Sequence, residues 1–271
     1  MIELARWPRT QALARGTLIR RYKRFLADVE LDSGEIVVAH CVNTGAMEGL
    51  TRPGIPVWLS AANNPARKLA WTWELAEVDG RTWGVNTALP NKFVMRLLEE
   101  RRIPWLDHWP DFRPEKKYGE KSRVDFWLTN PSTGCEHFLE VKNCHLLYPD
   151  ERAYFPDCVS ARATEHLHEL VKSLAPRARG DVSAEVLFVV QISGALAVRP
   201  SDLHDSAFAA AARVAASKGV QFSAIVVDHQ PAEIIIRGPV LVDLEPYDCT
   251  QHKEWRAGNQ NPSQAPGPAF A

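Results

Sequence analysis

The sequence predicts a two-domain protein of mixed α/β (α+β) class, with an N-terminal β-barrel and a C-terminal mixed sheet flanked by helices. Short apolar runs separated by turn residues fill residues 10–88, a pattern typical of a barrel or a sandwich. After Pro90, helix-like and strand-like segments alternate instead, which indicates a sheet covered by helices. We therefore expect a barrel over residues 1–88, a second domain over 89–245, and a flexible tail over 246–271, where Pro, Gly and Asn are frequent.

Composition and charge bound the class of protein. The net charge of the 271 residues is −1, so overall charge neither favours nor excludes a nucleic-acid partner. No run approaches the roughly eighteen apolar residues of a membrane span, and the first residues contain no signal-peptide core. The 5 cysteines form no C-x-x-C pair, so we expect reduced thiols in a cytoplasmic protein rather than disulfides or a zinc site.

The N-terminal runs indicate a particular kind of barrel. Their number and the length of the segment suit a five-stranded oligonucleotide-binding (OB) barrel. Cationic and aromatic side chains are interleaved near its start and again before Trp71 and Trp73. Cations bind phosphates and rings stack on bases, so this pattern predicts a nucleic-acid surface; the alternative is a solvated strand face with both tryptophans in the core. The candidate contacts are Arg20, Arg21, Tyr22, Lys23, Arg24, Arg67 and Lys68, together with Arg123 of the second domain.

The second domain is predicted to alternate helices and strands. It starts with residues 91–103, whose apolar residues recur at a helical spacing before Pro104. Three strand-like segments follow, then an amphipathic helix and a continuous apolar run typical of a buried parallel strand. The later segments are strands 111–119, 122–129 and 135–143, helix 159–174, strand 184–192, helix 202–219, strand 220–228 and an edge strand at 232–238.

The segment 122–144 carries the residues that point to chemistry. Two strand-like runs flank a turn-rich break, and the second run contains Glu140, Val141 and Lys142. Residues two apart in a strand share a face, so Glu140 and Lys142 project together while Val141 faces the other side. If the runs pair as a hairpin, Asp125 of the first run is brought to the same end of the sheet.

Two carboxylates and an ammonium group on one rim are the parts of a hydrolytic Mg²⁺ (or Mn²⁺) site. Asp125 and Glu140 would supply carboxylate oxygens, and the carbonyl of Val141 would add a third oxygen. Lys142 would orient the attacking water or offset charge in the transition state. The alternative is ordinary surface chemistry, since an Asp beside Arg123 can form a simple ion pair and a Glu-x-Lys pair on a strand is usually a solvated rim.

Two further polar residues are candidates for the same site. Glu115 lies on the preceding strand and would bind a second metal or orient the first. Gln191 ends a buried apolar run, which is an unusual place for an amide unless the strand end faces the site. His166 and His168 are spaced i, i+2, which is unsuitable for shared metal ligation on a helix; we expect His166 beside the core, with a phosphate contact as the alternative.

The order of the elements strengthens this interpretation. The arrangement resembles the PD-(D/E)XK nuclease superfamily: three successive strands carry an acid, an Asp and Glu-x-Lys, and a helix and a buried strand follow them. The chain up to about residue 240 is similar to the bacterial sugar fermentation stimulation protein A (SfsA) family. The stretches that carry this second resemblance are 16–29 (GTLIRRYKRFLADV), 40–47 (HCVNTGAM), 52–54 (RPG), Arg67-Lys68, Trp73-Glu74, 85–87 (VNT), Tyr118-Gly119, 122–126 (SRVDF), 140–143 (EVKN) and 155–157 (FPD).

The resemblance implies an OB-like barrel, a nuclease-like second domain, DNA binding and a link by name to sugar (maltose) metabolism. It also implies that Asp125, Glu140 and Lys142 fall on the nuclease motif. The chain departs from the family pattern at 162–166, where a basic residue and a Gly are usual and RATEH stands. The acid at Glu165 would weaken a helix that contacts phosphates.

These observations support three functions. The first is a metal-dependent nuclease that grips nucleic acid, DNA rather than RNA, on the barrel and hydrolyses phosphodiesters in the second domain. The second is a DNA-binding transcriptional regulator that keeps the nuclease fold without activity. The third is the binding of a small ligand or a protein by the tryptophan-rich face, which the near-zero net charge favours. An oligomer is compatible with each of them.

Overall fold

The structure, a computed structural model, contains a barrel and a larger mixed sheet. It describes residues 1–62, 64, 66–118, 122–175 and 180–259, without the side chains of residues 122 and 257–259. The first strands are β1 (Ile2–Pro8), β2 (Ala14–Tyr22), β3 (Leu26–Leu31), β4 (Ile36–His40), β5 (Pro56–Ala61), β6 (Trp71–Val78) and β7 (Arg81–Gly84). They are followed by α1 (Pro90–Glu99), β8 (Asp111–Tyr118), β9 (Ser122–Asn130), β10 (Cys135–Cys144), β11 (Leu146–Leu147), β12 (Arg152–Phe155), α2 (Ala161–Ser173), β13 (Val182–Val190), β14 (Ala197–Pro200), α3 (Ser206–Ser217), β15 (Gln221–His229), β16 (Glu233–Gly238), β17 (Leu241–Val242) and α4 (Thr250–Asn259).

Five strands close into the barrel that the N-terminal runs predict. β2 pairs antiparallel with β3 and β5, β3 pairs with β4, and β5 pairs with β6. The ring closes where β4 and β6 pair in parallel, with Ala39 opposite Trp71. Alternate side chains point inward, and Leu18, Val29 and Trp73 are buried in the barrel core. This topology confirms the OB-type barrel, and β7 extends it as a further strand on β6.

The second domain is built on a seven-stranded mixed sheet in the order β1-β16-β15-β13-β10-β9-β8. β8, β9 and β10 form an antiparallel meander, whereas β10, β13 and β15 run parallel. α1 covers one face of the sheet with Phe93 and Leu97, and α2 and α3 cover the other face with Leu167 and Phe208. The apolar run of β13 is buried on both faces, as predicted for a central parallel strand.

Two segments depart from the predicted domain boundaries. β1 pairs antiparallel with β16, so residues 2–8 complete the sheet of the second domain instead of the barrel. Pairing between opposite ends of the chain leaves no local pattern that could have indicated it. Within the tail predicted from residue 246, residues 250–259 form α4, whose Trp255 ring lies 5.3 Å from the ring of Tyr148. Residues 260–271 of that predicted tail lie outside the described residues.

A second, four-stranded sheet has the order β11-β12-β14-β17. The sequence did not indicate it, because its strands are only 2 to 4 residues long and show no periodicity. None of the helices within the described ranges is long and apolar enough to cross a membrane.

Candidate active site

The candidate active site forms where the β9–β10 hairpin opens. The two strands pair as far as Phe126 opposite Leu139. Beyond that pair, Oδ2 of Asp125 accepts a hydrogen bond of 2.7 Å from the backbone N–H of Val141. A side-chain carboxylate thus takes the place of a backbone partner and holds the two strand ends together at the site.

Glu140 is the most enclosed acid of the site. It projects towards α2 and is 2% exposed. Its Oε1 accepts a hydrogen bond of 2.7 Å from Nζ of Lys142 and also contacts Nδ1 of His166. Burial opposes ionisation, but the His166 hydrogen bond and the Lys142 charge hold the pKa of Glu140 below its ordinary value. The other oxygen, Oε2, is buried and has no hydrogen-bond partner among the described residues.

Asp125 has the opposite electrostatic character. Its Oδ1 accepts a hydrogen bond of 2.7 Å from the amide of Asn91 on α1. Burial and the negative charge of Glu140 raise the pKa of Asp125 to about 6, despite the hydrogen bonds that it accepts. Two neighbouring carboxyl groups whose pKa values are driven apart are a common arrangement in catalytic sites.

These acids border an open cavity of about 570 Å³. Glu115 lies on its wall, on the strand before Asp125, and has a positive φ of 54°. Residues other than Gly rarely adopt a positive φ outside functional or strained positions. The cavity walls also carry Asn91, Arg123, Val141, Asn143, Arg162, Glu165 and His166. The structure therefore brings Asp125, Glu140 and Lys142 to one cavity, as the hairpin argument predicts, and Glu115 lies on the same wall.

Gln191 is not part of the described cavity wall. Its side chain is 0% exposed, donates a hydrogen bond of 2.6 Å to Oδ1 of Asn143, and lies 3.1 Å from Nε2 of His229. Gln191 therefore lies behind the cavity wall: it donates to Asn143, and Asn143 lines the cavity. Strand position alone could not separate a residue at the site from one behind it.

Several of the predicted nucleic-acid contacts are engaged by other groups of the barrel, although the Arg20 side chain is also 67% exposed. Arg20 pairs with Asp28 at 2.7 Å, and the hydroxyl of Tyr22 donates to the same carboxylate. Arg21 donates to three backbone carbonyls, those of Arg24, Asn43 and Gly45, so it supports the loop structure instead of a free surface.

The remaining cations are accessible. Lys23 and Arg24 are exposed in the β2–β3 turn, and Arg67 and Lys68 are exposed before β6. Arg123 is exposed as well, but it lies at the acidic cavity of the second domain. The alternative interpretation of the aromatic residues holds for Trp73, which is 0% exposed in the barrel core.

A polar network joins the barrel to the second domain beside the cavity. The amide of Asn43 on the barrel lies 3.2 Å from Nε2 of His145, which lies 3.1 Å from Asp157. Asp157 also accepts a hydrogen bond from the backbone N–H of Met47. The other ring nitrogen of His145 lies 3.0 Å from Asn143 on the cavity wall. The network thus runs from a barrel loop to the cavity.

Three residues contact the site in ways that the sequence did not predict. Asn91 bonds to Asp125 from α1, His166 contacts Glu140 from α2, and Arg162 lies one helical turn before His166 with 3.3 Å between their nitrogens. His166 is buried, as expected, but its contact with Glu140 was not predicted from the sequence. Its signal in the sequence is a polar residue on the otherwise apolar stripe of the helix.

The fold and the site together define a class. An OB-type barrel is joined to a mixed sheet in which Asp125, Glu140 and Lys142 lie at the opening of a hairpin beneath a helix. The chain belongs to the sugar fermentation stimulation protein (SfsA) family. The family model described as "SfsA N-terminal OB domain" matches residues 19–85, and the one described as "Sugar fermentation stimulation protein RE domain" matches residues 88–233.

Relatives in several organisms match most of the chain. The sugar fermentation stimulation protein homolog of Methylobacterium nodulans is 46% identical over 228 residues, covering 83% of this chain and 94% of the relative. The homolog of Geobacter metallireducens is 44% identical over 230 residues, with coverage of 84% and 96%. The structure of Pyrococcus furiosus SfsA in complex with Ca²⁺ matches with a TM-score of 0.77 and 24% identity, covering 90% of this chain and 100% of the other. That likeness shows the shared fold.

Proposed function

We propose that this protein binds DNA and hydrolyses its phosphodiester bonds with Mg²⁺ or Mn²⁺ held at Asp125 and Glu140. The observation that carries the proposal is that Asp125, Glu140 and Lys142 meet at one open cavity. One oxygen of Glu140, Oε2, is buried beside this cavity and has no hydrogen-bond partner among the described residues. A buried carboxylate oxygen that the protein leaves unsatisfied is costly unless a cation or a donor completes it.

The donor set suits a hard divalent cation. Asp125 and Glu140 supply carboxylate oxygens, and the N–H and C=O of Val141 point to the same edge of the strand, where Asp125 accepts the N–H. No group of three His, Cys, Asp or Glu side chains suited to a metal forms within the described ranges. Mg²⁺ suits a site with so few protein ligands, because it usually keeps several waters and takes only one or two carboxylates from the protein. The relative from Pyrococcus furiosus is described in complex with Ca²⁺, another divalent cation that prefers oxygen ligands.

When bound, such an ion would acidify a coordinated water and offset charge on the phosphate. Lys142 lies 2.7 Å from Oε1 of Glu140 and would orient that carboxylate and place a positive charge beside the attacking water. Asn91 fixes Asp125 from the other side. Arg123 and Arg162 on the cavity wall are placed to receive the flanking phosphates of a strand.

The test compares cleavage of single- and double-stranded DNA and RNA with Mg²⁺, with Mn²⁺ and with EDTA. We expect cation-dependent cleavage of DNA by the wild type and loss of at least about a hundredfold in Glu140→Gln and Lys142→Ala. Lys218→Ala is the matched control, because Lys218 is exposed at the end of α3 and away from the cavity wall. Cleavage by Lys142→Ala at the wild-type rate would overturn the proposal, and so would an absence of cleavage on all four substrates.

A specific observation favours a second candidate, a DNA-binding regulator of sugar (maltose) metabolism without catalysis. Oε1 of Glu140 is already occupied by Lys142 and His166, which is a closed internal arrangement. This candidate predicts DNA binding that falls with salt concentration and does not need a divalent cation. A mobility-shift titration with and without EDTA separates the candidates: binding with no cleavage under either condition supports the regulator.

A further inference from the structure

A second cavity, of about 240 Å³, lies where the barrel meets the second domain. The barrel contributes the loop 48–52 and the β6–β7 hairpin, and the second domain contributes the turn 147–151 and α4. Among the described residues, none lines both this cavity and the acidic one. Interfaces between domains are frequent locations of small-molecule sites. The side chains of its walls therefore decide which ligand chemistry it would bind.

Aromatic side chains supply the apolar part of the wall. Tyr148 and Trp255 meet edge to face at 5.3 Å and 87°, and Trp83 lies on the barrel side. Trp83 and Tyr148 are 7% and 2% exposed. The indole N–H of Trp83 and the hydroxyl of Tyr148 have no hydrogen-bond partner within the described ranges. Buried indoles and phenols usually find one, so two residues of this wall each carry a buried polar atom that no described residue satisfies.

The charged residues of the wall offset one another. Arg81 pairs with Glu151 at 2.5 Å, and Arg52 lies 3.8 Å from Asp79. Glu48 adds a third carboxylate to the same wall, and Arg256 lies 3.0 Å from it. Each guanidinium therefore already has a carboxylate beside it, and an anionic ligand would meet repulsion from those acids. The charge balance favours an uncharged ligand.

Two of these carboxylates are on backbone with positive φ. Glu151, with φ of 60°, is in the left-handed region that residues other than Gly, Asn and Asp seldom adopt, whereas Asp79, with φ of 52°, precedes Gly80 in the β6–β7 turn, where Asp is common. Such positions tend to cluster at ligand sites, where the surrounding structure holds them. One lies on the barrel and one on the second domain, so the two domains present acceptors to the cavity from opposite sides.

We propose that this cavity binds a neutral, polyhydroxylated molecule of the size of a monosaccharide. Every sugar hydroxyl is both a donor and an acceptor, which matches a wall of guanidinium donors and carboxylate acceptors. The C–H face of the sugar ring packs on the indole of Trp255, which is apolar in body and polar at the edge. Because both domains form the walls, the bound molecule bridges the barrel to the nuclease-like domain.

Isothermal titration calorimetry of the full chain tests the proposal with D-glucose, D-galactose, D-mannose, glucose 6-phosphate and adenosine as separate probes. We expect saturable binding of at least one neutral sugar, and weaker binding of glucose 6-phosphate because of the wall carboxylates. Preference for glucose 6-phosphate or for adenosine would overturn the assignment. Absence of binding of all three neutral sugars at millimolar concentrations would overturn it as well.

Variants locate the binding site. Trp255→Ala should weaken sugar binding roughly tenfold through loss of one ring contact, while Trp255→Phe should restore most of it. Lys253→Ala is the matched control, since Lys253 is exposed on the same helix. Asp79→Asn, at an exposed rim position, should weaken binding several-fold without unfolding the chain. Lys142→Ala should bind sugar as the wild type does, because Lys142 lies at the other cavity. Equal affinity for Trp255→Ala and Lys253→Ala would exclude this cavity as the site.

Discussion

Replacing Asp125 with Asn should stabilise the protein at alkaline pH while removing its response to divalent cations. Burial and the charge of Glu140 raise the pKa of Asp125 from 3.8 to about 6. That shift corresponds to about 3 kcal/mol of stability that the ionised carboxylate costs the folded state. An Asn can accept from Val141 or face Asn91 correctly, but not both, so it loses one hydrogen bond worth about 1 kcal/mol. The net gain is about 2 kcal/mol.

The sign of the pH dependence follows from the direction of the shift. The folded pKa of Asp125 lies above its unfolded value, so the folded state binds the proton more tightly. The associated stability is fully present below pH 3.8 and is lost as the pH rises through about 6. Asp125→Asn should therefore raise the melting temperature by about 4–8 °C at about pH 8, and have almost no effect at about pH 4.5.

Differential scanning calorimetry at both pH values, with EDTA and with Mg²⁺, measures each part of this prediction. Mg²⁺ should stabilise the wild type, by about 2.7 kcal/mol at a hundredfold excess over Kd, and leave Asp125→Asn unchanged. Asp111→Asn is the control, because Asp111 is exposed at the start of β8 on the same sheet. A variant that is destabilised equally at both pH values would refute the electrostatic account of the site. If Asp125→Asn were still stabilised by Mg²⁺, Asp125 would not be a metal ligand.

Further predictions concern the barrel and its contact with the second domain. Lys23→Ala combined with Arg24→Ala should weaken DNA binding and lower the slope of log K against log salt by about 2, because both side chains are exposed in one turn; an unchanged slope would exclude this turn. Arg21→Ala should instead lower the melting temperature, since Arg21 donates to three carbonyls; a fall in DNA affinity without a fall in melting temperature would contradict that role. Gly84→Ala should cost about 3 kcal/mol in urea unfolding, because its Cβ would lie 2.3 Å from Nε2 of His229; wild-type stability would show that the contact can relax. Trp73→Ala should cost about 3–5 kcal/mol, and a smaller loss would indicate that the barrel core collapses around the gap.

Local patterns in the sequence were sufficient for the hairpin and its acids. Alternation with a period of two residues places Glu140 and Lys142 on one face and Val141 on the other, and the structure shows this arrangement. The apolar run of β13 likewise indicated a buried parallel strand, and the short runs before residue 88 indicated a barrel. Each of these inferences depends on residues that are neighbours in the chain.

Other features depend on contacts between distant segments. β1 joins the second sheet through β16, and α4 packs Trp255 on Tyr148, although each segment taken alone is short or rich in polar residues. Such long-range pairings are selected by the total surface that they bury and have no local periodicity. Composition therefore assigned the first strand to the barrel and α4 to a flexible tail.

At the site, the sequence alone determined which ionisable groups share a rim, because strand geometry is a local property. Only the tertiary structure decided their charge states and neighbours. His166 reaches Glu140 because α2 packs over β10, and Gln191 stops one residue short of the cavity because Asn143 lies between them. The pKa values of Asp125 and Glu140 diverge because burial and the nearest charges act on each carboxylate through space, independently of separation along the chain.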